Sequence, residues 1–322
     1  LAGQYGILVP FYNADFNGES QEGVGPYQLT IRNGVRQSAA NAFLRPVEQR
    51  GNLQIDTDAM MLQILVEEGR AVGVRYRQGR QVREARAARE VLLCAGAVQS
   101  PQLLMLSGIG DAAELSRYGI PVVQHLPGVG KNLQDHLDIS VQYHCRLPVT
   151  LHSQTRLPVA LFTLLRYMTT RHGPGSQNGL EAGAFVRTDP ALPVPDVQYH
   201  FIPAFMIDHA RGESPGHGFM LHACQLRPAS RGSISLASPD PAEAPVIQAN
   251  YLSAPGDLDV MIRAVHIGRS LLNAPAFDRY RGAEFLPGPK VLSDQHIADY
   301  IRSHAESIYH PVGTCKMGVT AD

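Results

Sequence analysis

The feature that most constrains the fold is the pattern of residues 59–96. An apolar run over Ala59–Val66, a turn at Glu67–Arg70 and an alternating run over Ala71–Arg77 predict two antiparallel strands. A more polar third strand is predicted after the turn at Gln78–Arg80. The next run, Val91–Gly96, is apolar on both faces, which is typical of a buried parallel strand. A meander that leads into such a strand predicts the rear half of a dinucleotide-binding domain.

The segments beside this region have a different character. Residues 1–50 are rich in Gly, Asn, Gln and Pro, which predicts long loops with short elements. Leu53–Asp56 predicts a short strand. Ser100-Pro101 is a favourable N-cap and first-turn pair, so we expect a helix from there through Leu106 that ends at Ser107-Gly108.

The second half of the chain alternates strands with helices. Strands are predicted at residues 180–187, 197–202, 219–226 and 231–236, and amphipathic helices at residues 258–272 and 293–304. This order predicts an antiparallel sheet with helices packed on it, so the fold class is α/β plus α+β. We expect a dinucleotide-binding remainder over residues 1–140, a substrate domain over 141–305 and a loop over 306–322 that returns to the first domain.

Composition and spacing exclude several classes of protein. The formal net charge is −1 and the pI is 7.0, without a dense run of Lys or Arg, so nothing indicates a nucleic-acid partner. No Ser-His-Asp or GxSxG pattern supports hydrolysis. The cysteines are widely spaced and predict free thiols and no metal site: Cys94, Cys145, Cys224 and Cys315.

The longest apolar run, Leu157–Met168, is interrupted by Thr163 and Arg166 and is too short to cross a bilayer. We expect a packed helix or a lid helix there, and a contact with a membrane surface stays open. The nearest match to a GxGxxG phosphate-binding turn is Gly108–Ala113. It follows a helix instead of a strand, so we interpret it as the end of that helix.

Three segments carry a resemblance to a known family. Gly96–Gly110 closely resembles a signature of the glucose–methanol–choline oxidoreductases, Leu126–His136 resembles the next landmark of that family, and His310–Gly318 resembles its active-site loop. The order of the three segments is also that of the family. The resemblance extends from about Asp15 to the end of the chain and is closest to choline dehydrogenases and aliphatic alcohol dehydrogenases.

The resemblance implies an FAD cofactor and places its contacts in this sequence. Met60 lies where the family sets backbone against the adenine end of FAD, and Ala95-Gly96 ends the strand that leads to the cofactor. Asp135-His136 corresponds to a structural turn near the flavin. The alternative for Met60 is packing within a meander strand, and the alternative for the turn is a purely structural role.

His310 is the predicted catalytic base. Alcohol oxidation removes a hydroxyl proton and a hydride from one carbon, and a neutral imidazole, with an ordinary pKa near ~6.5, is well suited to accept the proton. The flavin would accept the hydride. Pro311 favours an extended backbone at His310, and Gly313 permits a tight loop behind it. An isolated histidine would more often cap or hydrogen-bond at a surface; the surrounding loop favours the catalytic role.

Glu181 and Phe185 are the predicted substrate contacts. On a strand, Glu181, Gly183 and Phe185 share one face, which combines a carboxylate, a gap and an aromatic wall. The resemblance implies that such a glutamate attracts the trimethylammonium group of choline, and an aromatic ring adds a cation–π contact. An ordinary ion-paired glutamate on an edge strand is the alternative. The remaining histidines of this region, including His200 and His222, show no shared ligand spacing and are interpreted as structural.

The expected function is therefore FAD-dependent oxidation of a primary alcohol, choline or an aliphatic alcohol, to the aldehyde. An oxygen-using oxidase of the same family and a flavin-bearing hydroxynitrile lyase are the alternatives. The electron acceptor, a quinone or another compound, is left open, and the expected location is the cytoplasm, with a peripheral contact to the inner membrane left open. Because the chain opens without Met and shows no phosphate-binding turn, we expect a fragment that by itself binds FAD weakly or not at all and is inactive.

Overall fold

The computed structural model describes residues 12–180, 182–208 and 211–319. These residues form two compact units. Unit 1 contains the described residues up to Leu53 together with Leu137–Arg227 and Gly256–Ile308, and unit 2 contains Gln54–His136, Pro228–Pro255 and the residues from Tyr309 onwards. The chain thus passes between the units at residues 53/54, 136/137, 227/228, 255/256 and 308/309. Which unit serves the cofactor and which serves the substrate stays a prediction.

The described elements are numbered along the chain. The strands are β1 (Gly23–Pro26), β2 (Ile31–Arg32), β3 (Val35–Arg36), β4 (Ala59–Glu67), β5 (Arg70–Gln78), β6 (Gln81–Arg86), β7 (Ile109–Gly110), β8 (Gln124–His125), β9 (Leu137–Cys145), β10 (Ala182–Val186), β11 (Val197–Ile202), β12 (Gly218–Gln225), β13 (Ser233–Ser235), β14 (Val246–Gln248), β15 (Arg281–Leu286) and β16 (Glu306–Ser307). The α-helices are α1 (Gly96–Leu106), α2 (Ala112–Arg117), α3 (Val159–Thr170), α4 (Asp257–Leu272) and α5 (Asp294–His304).

Unit 1 is built on a seven-stranded sheet in the order β1-β10-β11-β12-β9-β15, with β16 also paired to β9. Every pairing in this sheet is antiparallel. Helix α4 covers one face, where the Tyr199 hydroxyl donates to the carbonyl of Ala264 at 2.6 Å and Val141 packs against Gly268. The predicted antiparallel sheet with helices packed on it is confirmed, and so are the two helices, the second of which is capped by Ser293.

Unit 2 contains the predicted meander β4-β5-β6. Behind it, α1 packs against a buried apolar cluster of Met105, Leu115, Val129, Leu133, Ile234 and Leu236. Two predicted strands are wrong. Leu53–Asp56 is irregular, and Val91–Gly96 is not a strand, with Leu92 76% exposed. A parallel strand needs neighbours to hydrogen-bond with, and none of the described strands runs alongside this segment.

Helix α1 begins five residues earlier than predicted. It starts at Gly96, so Pro101 lies inside the helix instead of in its first turn. The predicted end is confirmed, because the helix stops at Leu106 and the backbone N–H of Ser107 caps the carbonyls of its last turn. Gly108 follows with φ of +82°, a left-handed conformation that terminates helices.

Helix α3 forms close to the predicted position and is largely exposed. None of its residues is fully buried, and three on one side are partly buried: Ala160, Thr163 and Tyr167. The expectation of a packed or lid helix stays a prediction. Among the described residues, none of the helices combines the length and the hydrophobicity that spanning a bilayer requires.

Candidate active site

The loop that carries His310 runs back along residues 130–134 within unit 2. Gln134 and Val312 form an antiparallel bridge in which each backbone N–H donates to the carbonyl of the other at 2.9 Å. The N–H of Gly130 donates to the carbonyl of Thr314, also at 2.9 Å. The His310 loop is thus fixed to residues 130–134 by main-chain bonds on the C-terminal side of the histidine.

The Asp135 carboxylate fixes the histidine itself. It is buried, and its Oδ1 accepts the backbone N–H of His310 at 2.9 Å and the N–H of His136 at 2.9 Å. Its Oδ2 accepts the hydroxyl of Tyr251 at 2.5 Å. Hydrogen bonds to an ionised carboxylate are stronger than those between neutral groups. Asp135 therefore holds the backbone at both histidines. The sequence predicted only a structural turn near the flavin at this position and did not predict these bonds.

The two imidazoles lie side by side. Nδ1 of His310 is 3.4 Å from Nδ1 of His136, and the ring planes are inclined by 76° with centroids 5.4 Å apart. A hydrogen bond between two Nδ1 atoms requires that one of them carries the proton. If the two rings share this hydrogen bond, the tautomer of one determines the tautomer of the other.

Close backbone approach makes the tight turn after His310 possible. Gly313 has φ of +97°, and a Cβ at this position would lie 2.4 Å from the carbonyl oxygen of Asn132. The Asn132 amide donates to the carbonyl of Gly313 at 3.1 Å and accepts from Nε of Arg231 at 3.1 Å. Only glycine fits this position without a shift of the backbone.

Proline inside α1 provides a further anchor for the loop. Pro101 has no N–H, so the carbonyl of Ala97 cannot form the usual bond from i+4. The hydroxyl of Thr314, which is 1% exposed, donates to that carbonyl instead. Pro101, the residue that led to the wrong predicted start of the helix, thus leaves a carbonyl that binds the His310 loop.

A cavity of about 260 Å³ in unit 2 brings together two of the predicted cofactor residues. Met60 and Ala95 line it with Gln99, Leu103 and other side chains of α1. Its walls are largely apolar with a few amide groups, which suits the faces and edge of a flat heteroaromatic ring such as adenine. Gly96, which begins α1, and the pair Asp135 and His136 do not line this cavity. The residues fit one end of a dinucleotide, and their contacts with FAD stay predictions.

The predicted substrate contacts belong to unit 1. Glu181 lies outside the described residues. Phe185 is 7% exposed and packs edge-on against Phe16, with ring centroids 5.0 Å apart. The gap predicted at Gly183 is filled, because a Cβ there would lie 2.1 Å from the hydroxyl of Tyr27. Little of the Phe185 ring is left for a ligand in this arrangement, and its role as an aromatic contact stays a prediction.

Unit 1 also contains a buried polar cluster that the sequence did not single out. Asp138 and Gln142 on β9 and His222 on β12 line a cavity of about 90 Å³. Nδ1 of His222 pairs with Oδ2 of Asp138, whereas Asp138 Oδ1, Gln142 Oε1 and His222 Nε2 are buried without a hydrogen-bond partner among the described residues. Burial opposes the charged imidazole, but the neighbouring Asp138 carboxylate outweighs it and raises the pKa of His222 above its ordinary value.

The signal for this cluster was in the strand pattern. Asp138, Ser140 and Gln142 alternate with apolar residues along β9, so they share one face. The register that places His222 opposite Ser140 exists only once β12 has paired with β9. The four cysteines, by contrast, are free as predicted.

The sequence was compared with protein-family profiles and with individual proteins, and the two comparisons agree with each other. Profiles of the GMC oxidoreductase family match residues 2–138 with the N-terminal domain and residues 228–322 with the C-terminal domain. An alcohol dehydrogenase (acceptor) from Pseudomonas putida is 46% identical over 311 residues, which are 95% of this chain and 56% of the relative. An oxygen-dependent choline dehydrogenase from Brucella canis is 44% identical over 308 residues, 96% of this chain and 56% of the relative.

Solved structures give the same result for the fold. Pyridoxine 4-oxidase from Mesorbium loti has a TM-score of 0.82 at 29% identity and covers 95% of this chain and 56% of its own. A formate oxidase from Aspergillus oryzae, solved to follow the modification of its FAD, has a TM-score of 0.86 at 24% identity, with 94% and 57% covered. The chain therefore spans a little over half the length of the relatives it matches.

Proposed function

Since the chain belongs to the glucose–methanol–choline (GMC) oxidoreductase family, we propose that it contributes the catalytic base to an FAD-dependent oxidation of a primary alcohol. His310 takes the hydroxyl proton of the substrate. FAD, when bound, supplies the acceptor for the hydride from the same carbon. The observation that carries this proposal is the anchoring of the His310 backbone by the buried Asp135 carboxylate at 2.9 Å.

His136 sets the tautomer of the base in this proposal. If Nδ1 of His310 donates to Nδ1 of His136 across their 3.4 Å contact, the lone pair of His310 is at Nε2 and is free to accept a proton. The reverse donation would leave Nε2 of a neutral His310 protonated and unable to act as a base. The Asp135 bond to the His136 backbone at 2.9 Å keeps the acceptor ring in place.

Anchoring matters because a general base must lie within hydrogen-bonding reach of the proton it removes. The Gln134–Val312 bridge and the bond from Thr314 to Ala97 fix the loop after the histidine. The backbone that presents the imidazole is thereby set before substrate arrives, which lowers the entropy lost on reaching the reactive geometry. Met60 and Ala95 would contact the adenine end of the cofactor.

Anaerobic mixing of an alcohol with a full-length, flavin-loaded enzyme that contains this chain tests the proposed reaction. We expect hexanol or choline to bleach the flavin absorbance, and the ratio of the two rates to separate an aliphatic alcohol from the ammonium substrate assigned to Glu181 and Phe185. Bleaching by either alcohol would exclude a hydroxynitrile lyase, and a flavin that stays oxidised with both would contradict oxidation of these two alcohols. Oxygen uptake measured against dye or quinone reduction then separates an oxidase from a dehydrogenase.

His136 can be tested in the same experiment. His136→Phe cannot accept the hydrogen bond, so we expect slower flavin reduction and an altered pH profile. His136→Asn retains a carbonyl acceptor and should be less impaired. An unchanged rate in both variants would remove His136 from the mechanism.

A further inference from the structure

Helix α3 has its apolar side turned away from the protein. The residues on its inner side are small or polar, since Ala160, Thr163 and Tyr167 are the members of the helix that are partly buried. The opposite side is formed by five large apolar residues, each more than half exposed, which we name the α3 face: Leu161, Phe162, Leu164, Leu165 and Met168. A surface helix in a water-soluble protein normally has the reverse arrangement, so this side is built to contact something apolar.

The inner side fixes the orientation of the helix. Oγ1 of Thr163 donates to the side chain of Gln154 at 3.1 Å. Gly175 lies directly against the Tyr167 ring, where an added Cβ would be 3.0 Å from the Tyr167 Cβ. The guanidinium of Arg171, at the C-cap of the same helix, lies 5.1 Å from the centroid of that ring. The contacts with Gln154 and Gly175 therefore mark the side of the helix that faces unit 1.

Every Asp, Glu, Lys or Arg in the segment that contains the α3 face is an arginine. Residues 139–180 contain no Asp or Glu, and they include Arg156 just before the helix, Arg166 within it and Arg171 at its C-cap. Leu157 and Val149, 81% and 62% exposed, extend the apolar surface towards the preceding turn. An apolar patch bordered by arginines complements a surface that is apolar inside and anionic at its boundary.

We propose that the α3 face binds the surface of a bilayer that contains anionic phospholipids. With 12 residues the helix is about 18 Å long, which suits a position parallel to the membrane plane, with the apolar side chains among the acyl chains and the arginines at the phosphates. A second copy of the chain is a poorer partner, because a two-fold contact through this face would place arginines near arginines. This inference is independent of the proposed alcohol oxidation.

The chain contains no Trp, so Phe162→Trp introduces a unique fluorophore on the α3 face. We expect its emission to shift to the blue when vesicles of phosphatidylcholine and phosphatidylglycerol are added, and the protein to sediment with them. Vesicles of phosphatidylcholine alone should bind more weakly, by about fivefold for each arginine that contacts the surface. Added salt should weaken binding to the anionic vesicles.

Two variants make the test specific to the α3 face. Leu164→Ser combined with Leu165→Ser should lower the partition coefficient by about tenfold or more, because less apolar area is inserted. Leu292→Ser changes a residue that is 73% exposed elsewhere in unit 1 and should leave binding unchanged. All the changed side chains are exposed, so folding should be retained, which circular dichroism verifies.

Several results would overturn the proposal. These are the absence of a blue shift with anionic vesicles, equal binding to neutral and anionic vesicles, and equal loss of binding in the Leu292→Ser control. Concentration-dependent self-association without vesicles, abolished by the Leu164 and Leu165 changes, would assign the α3 face to a second copy of the chain instead.

Discussion

Thr314 should stabilise unit 2 to an extent that depends on a proline more than two hundred residues away. Its hydroxyl donates to the carbonyl of Ala97, which Pro101 leaves without the N–H of a normal helix. In Thr314→Val the shape is kept but the donor is lost, and the partly buried carbonyl is left unpaired. The cost of such an unsatisfied acceptor is about 1–2 kcal/mol of unfolding free energy.

Pro101→Ala changes this cost in a way that only the proposed bond explains. An alanine at position 101 supplies the missing N–H, so the carbonyl of Ala97 keeps a partner when the Thr314 hydroxyl is removed. We therefore expect Thr314→Val to cost about 1 kcal/mol less in the Pro101→Ala background, a coupling typical of groups that share one hydrogen-bond acceptor.

Urea unfolding followed by circular dichroism measures the four proteins of this cycle, provided that the slope of free energy against urea is the same in all four. Thr314→Ser is the matched control, because it keeps the hydroxyl and loses one methyl group, at a cost of about 0.8 kcal/mol or less. Equal effects of Thr314→Val in the two backgrounds would show that the Ala97 carbonyl does not depend on the threonine.

Three further predictions concern other contacts of the two units. Asp135→Asn replaces a charged acceptor that binds two backbone N–H groups at 2.9 Å and should lower the unfolding free energy by about 1.5–3 kcal/mol; an unchanged urea midpoint would contradict this. Gly313→Ala forces a Cβ to 2.4 Å from a carbonyl oxygen at positive φ and should cost about 1–3 kcal/mol, whereas Gly318→Ala, with open space around it, should cost much less when both are unfolded in parallel. The raised pKa of His222 means that its pairing with Asp138 stabilises the protein fully below the unfolded value near ~6.5 and loses this effect as pH rises through the folded value. The stability lost in His222→Asn should therefore be greater at pH ~6 than at pH ~9, and an equal loss would be evidence against a charged pair.

The helices and strands that the sequence predicted correctly are those whose signal lies within one short stretch of residues. The meander β4-β5-β6, helices α4 and α5 and strands β10, β11 and β12 have clear periodicity or strong turn or cap residues, such as Ser293 before α5. Strands β1, β9, β15 and β16, which complete the sheet of unit 1, were not predicted. The predicted strand at Val91–Gly96 failed because apolar composition does not supply a neighbouring strand. The start of α1 was misplaced because a proline is tolerated inside a helix when its missing bond is replaced from elsewhere.

The sequence predicted His310 as the central residue of the candidate site, but it did not predict the residues that hold His310 in place. The loop sequence identified the histidine, yet the function of Asp135 depends on a backbone N–H 175 residues away, and the Asp138–His222 pair joins residues 84 apart. Contacts between residues so far apart in the chain produce no periodic pattern in a single sequence. The register between β9 and β12 creates the second contact only after the sheet has formed.

Chemical rescue of His310→Ala tests most directly whether this imidazole takes the hydroxyl proton. In a full-length, flavin-loaded enzyme that contains this chain, we expect the rate of anaerobic flavin reduction by alcohol to fall about 10²- to 10⁴-fold, the range typical of a lost general base. Added imidazole should restore part of the rate as its neutral form increases with pH, while His296→Ala, which changes an exposed histidine of α5, should react normally. A His310→Ala protein that reduces its flavin at nearly the unmodified rate would contradict the assignment of His310 as the base.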